Sequence, residues 1–290
     1  MRDYILMTDS TIDLKAEMIE ELNLKVIPLQ FTMDDVTYTD YNDHREMSCT
    51  DFYSNLKEGK LPTTSLINSS RFVEFFEPEL RDGKDILYIC FSSGLSGTYN
   101  SSRMAVDELR SKYPDRNIKT VDSKAATMGE GLLVYLASKQ KEEGKSLDEV
   151  YEWVINNRDH ICHHFTVNDL FHLHRGGRVS KAAATIGTML SIKPVLHVNN
   201  EGKLVMIDKT RGRKQSIKSL FKKLKSTIIE SENQTIFISH GDCLEEAKIL
   251  GGLITNEYGI TDIHYNYVGP VIGAHAGPGI ICVFYYGKEK

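Results

Sequence analysis

The chemistry-bearing residues of this chain are mostly hydroxyls, and they are clustered. Ser92-Ser93-Gly94-Leu95-Ser96-Gly97-Thr98 follows an apolar run, Ile86 to Phe91, and precedes helical apolar spacing at Met104, Val106 and Leu109. A strand, a Ser/Gly turn and a helix in that order aim backbone N–H groups and hydroxyls at one point. Such a point suits an anion: carboxylate, phosphate or sulfate. The bland alternative is a structural turn with capping hydroxyls. The turn lacks the Gly-Lys-Ser/Thr ending of a nucleotide-binding P-loop, and Ser96 lacks the G-x-S-x-G frame of a nucleophile elbow. Thr63-Thr64-Ser65 is a second hydroxyl group. Alone it caps the helix that follows; beside Ser93 it would form a second wall of the same pocket. Thr8-Asp9-Ser10-Thr11 ends the first strand, the side on which open parallel sheets bind ligands. Asp9 there could hold a metal, orient a hydroxyl or cap.

Three further features carry charge or a titratable ring. Arg175-Gly176-Gly177-Arg178 sets two arginines on a glycine turn, either a solvated helix end or a corner that contacts phosphate or a partner. His275 stands among small residues, Gly273 to Gly279, as a general base, a donor to a bound anion or a polar wall. His160, His163, His164, His172 and His174 are close in sequence without a zinc-binding spacing, and no metal site is expected. Lys209–Lys225 holds eight basic residues and no acid, either a solvated helix face or a dock for an acidic protein or membrane surface.

Alternating strands and helices must position these groups. Strands are expected at 3–8, 25–30, 86–91 and 118–122, with 31–38 pairing beside the second. Helices are expected over 15–22 (Asp13 as a cap), 49–58, 71–80 and 125–143. Ser146 with Glu149 three residues on has the capping-box spacing for a helix to Asn157. In the second half, 160–167 reads as a strand, 167–174 and 182–190 as short helices, and Asn199-Asn200-Glu201-Gly202 as a hairpin turn. Residues 269–279 read as a glycine-rich loop between two final strands. The expected fold is two α/β domains: residues 1–160 with a mainly parallel sheet, and 161–290 with a mixed sheet and helices.

Composition narrows the function. The 290 residues are 41% hydrophobic and 26% charged, ordinary for a globular protein, and the net charge of −5 argues against general nucleic-acid binding. No apolar run approaches the roughly 20 residues of a membrane span, and the start has no signal-peptide pattern. Five scattered cysteines with no CxxC pair read as reduced thiols of a cytoplasmic protein. Ala125, Ala126, Gly187, Met189, Leu190 and Ile192, which follow the loops, are small or flexible, as the lining of an apolar cleft requires.

Taken together, these segments resemble the DegV family over nearly the whole chain. The resemblance rests on Thr8-Asp9-Ser10-Thr11, Thr63-Thr64-Ser65, Ser92-Ser93-Gly94-Leu95-Ser96-Gly97-Thr98-Tyr99, Val121-Asp122-Ser123, Arg175–Ser180, Lys193-Pro194-Val195-Leu196 and Gly273–Gly279. It implies a non-catalytic carrier that binds one long-chain fatty acid between two domains. A separate fatty acid kinase phosphorylates the carboxylate, and the acyl phosphate feeds phospholipid synthesis in bacteria. It also implies a carboxylate site at Thr64, Ser93, Gly94, Ser96 and His275, a kinase contact at Arg175 and Arg178, and no cofactor. Transient contact with a membrane surface fits such lipid transport. Leu66-Ile67-Asn68 departs from the Gln-Pro-Ser of many relatives, and His172 from their Tyr or Asn. The competing reading is an enzyme of phosphoryl or acyl transfer using Asp9, Ser93 and His275.

Overall fold

The computed structural model describes residues 3–180 and 192–288; the helix expected at 182–190 lies outside them. The first half is built on a four-stranded parallel sheet in the order β2-β1-β6-β7, made of β1 (Tyr4–Asp9), β2 (Lys25–Ile27), β6 (Asp85–Cys90) and β7 (Ile118–Asp122). Every residue of β6 is buried, as a central parallel strand covered on both faces requires. Its side chains alternate: Leu87 and Ile89 join one core cluster, and Ile86, Tyr88 and Cys90 join another. Helices α3 (Ser69–Arg81) and α4 (Thr98–Lys112) bring Phe72, Phe76, Ala105 and Leu109 to the second cluster. Helices α5 (Met128–Glu142) and α6 (Leu147–Asn157) bring Leu132, Leu133, Val150 and Val154 to the first. The Ser146–Glu149 capping box is formed.

A small antiparallel sheet, order β4-β3-β5, lies at the edge of this half: β3 (Leu29–Met33), β4 (Val36–Asp40) and β5 (Thr63–Ser65). Asp34 and Asp35 join β3 to β4 with φ of 52° and 63°, the positive pair that a two-residue type I′ hairpin needs. Thr63–Ser65 pairs with β3 as a strand, where the sequence alone suggested a cap for the following helix; that cap is Asn68. The short helices α1 (Ala16–Glu21) and α2 (Cys49–Lys57) complete the half; Asp13 does not cap α1, whose flanking residue is Lys15.

The second half folds around a six-stranded mixed sheet, order β10-β9-β8-β13-β11-β12: β8 (Ile161–Thr166), β9 (Ile192–Val198), β10 (Leu204–Arg211), β11 (Ile236–His240), β12 (Ile263–Tyr267) and β13 (Ile281–Tyr286). The central strand β13 comes after all its neighbours in the chain. Helices α8 (Arg213–Thr227) and α9 (Leu244–Tyr258) cover one face through Ile217, Leu220, Leu224, Leu250 and Ile254. The other face meets α5, whose first residues are buried all round. Gly129 makes that approach feasible, since a Cβ there would lie 2.8 Å from Phe284. Two shorter helices, α7 (Phe171–Arg175) and α10 (Pro270–Ala276), border the seam between the halves. The stretch expected as a glycine-rich loop is thus a helix: Pro270 sits in its first turn and Gly277, at φ 77°, ends it. No helix among the described residues is long and apolar enough to cross a membrane.

Candidate functional site

The two ends of the site come from distant parts of the chain. β5 presents Thr64 half-buried between the exposed Thr63 and Ser65, with Phe31 as its partner across β3. α10 presents His275 from its last turn. Their side chains meet, with Thr64 Oγ1 2.8 Å from His275 Nε2. Burial, with the nearby Arg178 and Arg175 charges, holds the imidazole down at about 4, so it is neutral at physiological pH. Its Nδ1 is buried without a hydrogen-bond partner and packs on Gly176, where a Cβ would lie 2.2 Å away. Glycine at 176 is what lets the ring lie there.

This pair lies at the wall of a cavity of about 910 Å³, counting the space open to solvent. Ser65, Ser96, Gly97 and Arg178 also line it; most of the remaining wall is apolar, with Leu29, Phe91, Leu95, Phe165, Ile272 and Ile280. A few polar groups set in mainly apolar walls suit an amphiphile with an anionic head. Of the small residues expected to line a cleft, Ala126 does so; Gly187, Met189 and Leu190 lie outside the described residues.

The serine turn divides its hydroxyls among three tasks. Ser92 Oγ donates to the Gly202 carbonyl in the β9–β10 turn, 2.8 Å away. Ser93, exposed, donates from Oγ and from its amide to the Asp122 carboxylate, at 2.5 and 3.0 Å. Ser96 shares a 2.9 Å hydrogen bond with Thr98 and borders the cavity. Ser93 is therefore turned toward Asp122 and is not part of the wall. Gly94 is not part of it either. It packs on the same hairpin turn, where a Cβ would lie 2.7 Å from the carbonyls of Glu201 and Gly202.

The arginine turn is not a free corner. Arg175 is half-buried and donates through Nη2 to the carbonyls of Pro62 and Ala274, at 3.0 and 2.9 Å. Arg178 donates to the Leu95 carbonyl through Nε and Nη2, at 3.1 and 3.0 Å. Each thus ties α7 and the turn after it to a loop of the first half, Arg178 directly above the serine turn.

Asp9, Ser93 and His275 do not converge. Asp9 is fully buried and accepts from Thr11, through amide and hydroxyl, from the Tyr88 hydroxyl and from the Phe91 amide. Its carboxyl is still pushed above the usual range, because burial outweighs the four donors. Asp9 joins the ends of β1 and β6 and leaves no oxygen for a substrate. No group of three or more His, Cys, Asp or Glu among the described residues could hold a metal. His163 borders the cavity through the face of β8 opposite His164, which hydrogen-bonds Tyr285 at 3.0 Å.

Comparison with known proteins places this architecture. The model of the DegV family, described as an uncharacterised protein family, matches residues 4–288. The chain belongs to the DegV family. A DegV domain-containing protein of Clostridium perfringens is 48% identical over 290 residues, which is 100% of this chain and 99% of that one. A DegV family protein of Thermus thermophilus, described by its fatty acid binding, superposes with a TM-score of 0.86 at 29% identity, covering 99% of this chain and 100% of that one. DegV of Bacillus subtilis, described as a fatty acid binding protein, gives 0.83 at 29% identity with the same coverage.

The sequence missed Thr127. It lines the cavity with φ 48° and ψ −147°, a costly conformation for a β-branched residue, and its hydroxyl donates to Ser239 at 3.1 Å. Nothing local in Ala125-Ala126-Thr127-Met128 announces it; the strain also explains why α5 starts at Met128 and not at Ala125.

Proposed function

We propose that this chain binds one long-chain fatty acid in the seam between its halves, which we divide at residue 160. The observation that carries the reading is the Thr64–His275 pair at the polar wall of an otherwise mainly apolar cavity. The neutral imidazole keeps its proton on Nε2 and donates to Thr64 Oγ1. That tautomer leaves bare Nδ1 against Gly176, where no donor is needed. The Thr64 O–H is then free to point at a carboxylate oxygen. Ser96, with the amide of Gly97, supplies the second contact in place of Ser93 and Gly94. Each buried methylene adds about 0.8 kcal/mol, so an acyl chain of common length holds well with two or three polar contacts. The fatty acid binding ascribed to the relatives from Thermus thermophilus and Bacillus subtilis supports the same ligand.

In this reading the chain is a carrier and not an enzyme. A separate kinase phosphorylates the presented carboxylate, and the acyl phosphate enters phospholipid synthesis. Because Arg175 and Arg178 spend donors on internal carbonyls, the kinase meets this corner through the exposed His174 and Gly177, with the arginines holding its shape.

The test is extraction. Protein purified from cells, denatured and analysed by mass spectrometry, releases near-stoichiometric fatty acid, and the double variant Thr64→Ala/Ser96→Ala releases far less while melting as a folded protein. Incubation with ATP, Mg²⁺ and fatty acid yields no acyl phosphate until a kinase is added. Empty wild-type protein that also fails to take up added fatty acid overturns the reading.

A further inference from the structure

Five carboxyl side chains of the first half are buried, those of Asp9, Asp13, Asp40, Asp85 and Glu130, and two of them, Asp13 and Asp40, meet the start of α10. The Asp13 carboxyl takes the Gly269 amide and also faces the Thr127 hydroxyl; its Oδ2 has no hydrogen-bond partner. Asp40, the last residue of β4, accepts from the Val271 amide at 3.4 Å. The same strip is pinned twice more: Asn266 Nδ2 donates to the Asp13 carbonyl and the Tyr53 hydroxyl to the Val268 carbonyl, both at 2.8 Å. The start of α10 is therefore gripped by the first half, while its last turn carries His275 to Thr64. His275 is four positions after Val271, about 6 Å along the axis. So short a helix moves as one piece.

Among the described residues, no lysine or arginine pairs with Asp40. His44 Nδ1 is 3.9 Å from Asp40 Oδ1, and burial lowers the His44 ring below its ordinary value. Asp9 from β1, Asp13 from the turn after it and Cys49 from α2 also face it, the last with its thiol pushed up by burial and by Asp13, Asp40 and Asp242. Ionising Asp40 would strengthen one long amide contact. It would also leave a bare charge beside Asp9 at the seam, and water must then enter to solvate it.

We propose that Asp40, assisted by Asp13, is a proton-controlled positioning residue for His275: protonated, it keeps the opening turn of α10 seated, and ionised, it lets that turn loosen, so that ligand leaves faster as pH rises through neutrality. The ligand part rests on the fatty-acid reading; the movement of α10 does not. Burial holds Asp40 up at about 7, against about 4 in the unfolded chain, so the seated form is favoured at low pH and lost as pH rises through 7. His275 itself, held down at about 4 by burial and the nearby arginines, lies below that window.

The test is to follow the His275 ring signal by NMR from pH 6 to 8.5, in wild type and in Asp40→Asn, with His275→Gln for assignment. In wild type the signal moves with a midpoint near 7, and in Asp40→Asn it stays still. A bound fluorescent fatty acid leaves wild type about tenfold faster at pH 8.5 than at pH 6, and leaves Asp40→Asn at one rate. A ring signal that is still in wild type, or moves equally in the variant, overturns the proposal. If Asp40→Asn does not fold, the Val271 amide of wild type decides: a midpoint shared with His275 supports the clamp and a different one overturns it. If wild type takes up no fatty acid at any pH, the ligand reading falls, and the ring titration still judges the clamp.

Discussion

Thr64 and His275 are 211 residues apart in sequence, and their side chains meet at 2.8 Å. The contact joins a short edge strand of the first half to the last turn of α10. Thr64→Ala removes a hydroxyl donor to an anion, an interaction of about 1.5–3 kcal/mol. Fatty acid affinity should fall about ten- to a hundredfold by fluorescence displacement, with little change in melting temperature because Thr64 is only half-buried.

Ser93 and Ser96 separate cleanly. Ser93 is turned to Asp122, so Ser93→Ala should leave affinity within about twofold and cost about 1 kcal/mol of stability. Ser96→Ala should weaken binding severalfold. Titration of both variants with the same ligand checks this, and the reverse order would restore Ser93 to the site.

Gly176→Ala reaches the site without adding a polar group to it. The new Cβ would lie 2.2 Å from His275 Nδ1, so the ring must move away from Thr64. Affinity should drop about tenfold, as for His275→Ala, and the double variant should lose little more than either alone, because both act through one ring.

Acid should remove the buried histidines' contribution to stability in a defined window. His275 and His240 are each lowered to about 4 and His164 to about 3, all from 6.5, mainly by burial. A histidine with a depressed folded value contributes stability above about 6.5 that is lost as pH falls toward 4. Each proton taken up steepens the slope by at most about 1.4 kcal/mol per pH unit. The buried carboxyls Asp9, Asp13, Asp40 and Glu130, all held above their usual range, act in the opposite direction over the same window, so the histidine part is read as a difference: between pH 7 and 4.5 the urea midpoint of His240→Gln should shift toward greater stability relative to that of wild type.

Much of the fold was legible because its signals are local. The all-apolar β6, the Ser146–Glu149 box and the Asn199–Gly202 turn depend on residues within a few positions of each other. Where the structure departs from the sequence reading, the deciding partner lies far along the chain. Ser93 looked like a ligand contact because its acceptor, Asp122, is 29 residues away. Residues 270–276 looked like a loop because Gly273 and the flanking Gly269 and Gly277 disfavour a helix. Those glycines are there for close approach: a Cβ at 273 would strike Phe52 and Tyr53, and one at 277 would strike His172. Arg175 and Arg178 looked like a docking corner because the carbonyls they brace, those of Pro62 and Leu95, are 113 and 83 residues away. Thr64 and His275 were legible as types; that they touch was not.

The position of β13 fixes when the site can exist. It lies between β8 and β11, yet it is made after both, and α10 with His275 comes just before it. During synthesis, Thr64 and the serine turn leave the ribosome long before their histidine. Until then the first half carries an unfinished, apolar-lined face, and the second sheet has a gap at its centre. In the proposed carrier, capture of a ligand at the Thr64–His275 pair would therefore follow the entry of β13 into the sheet.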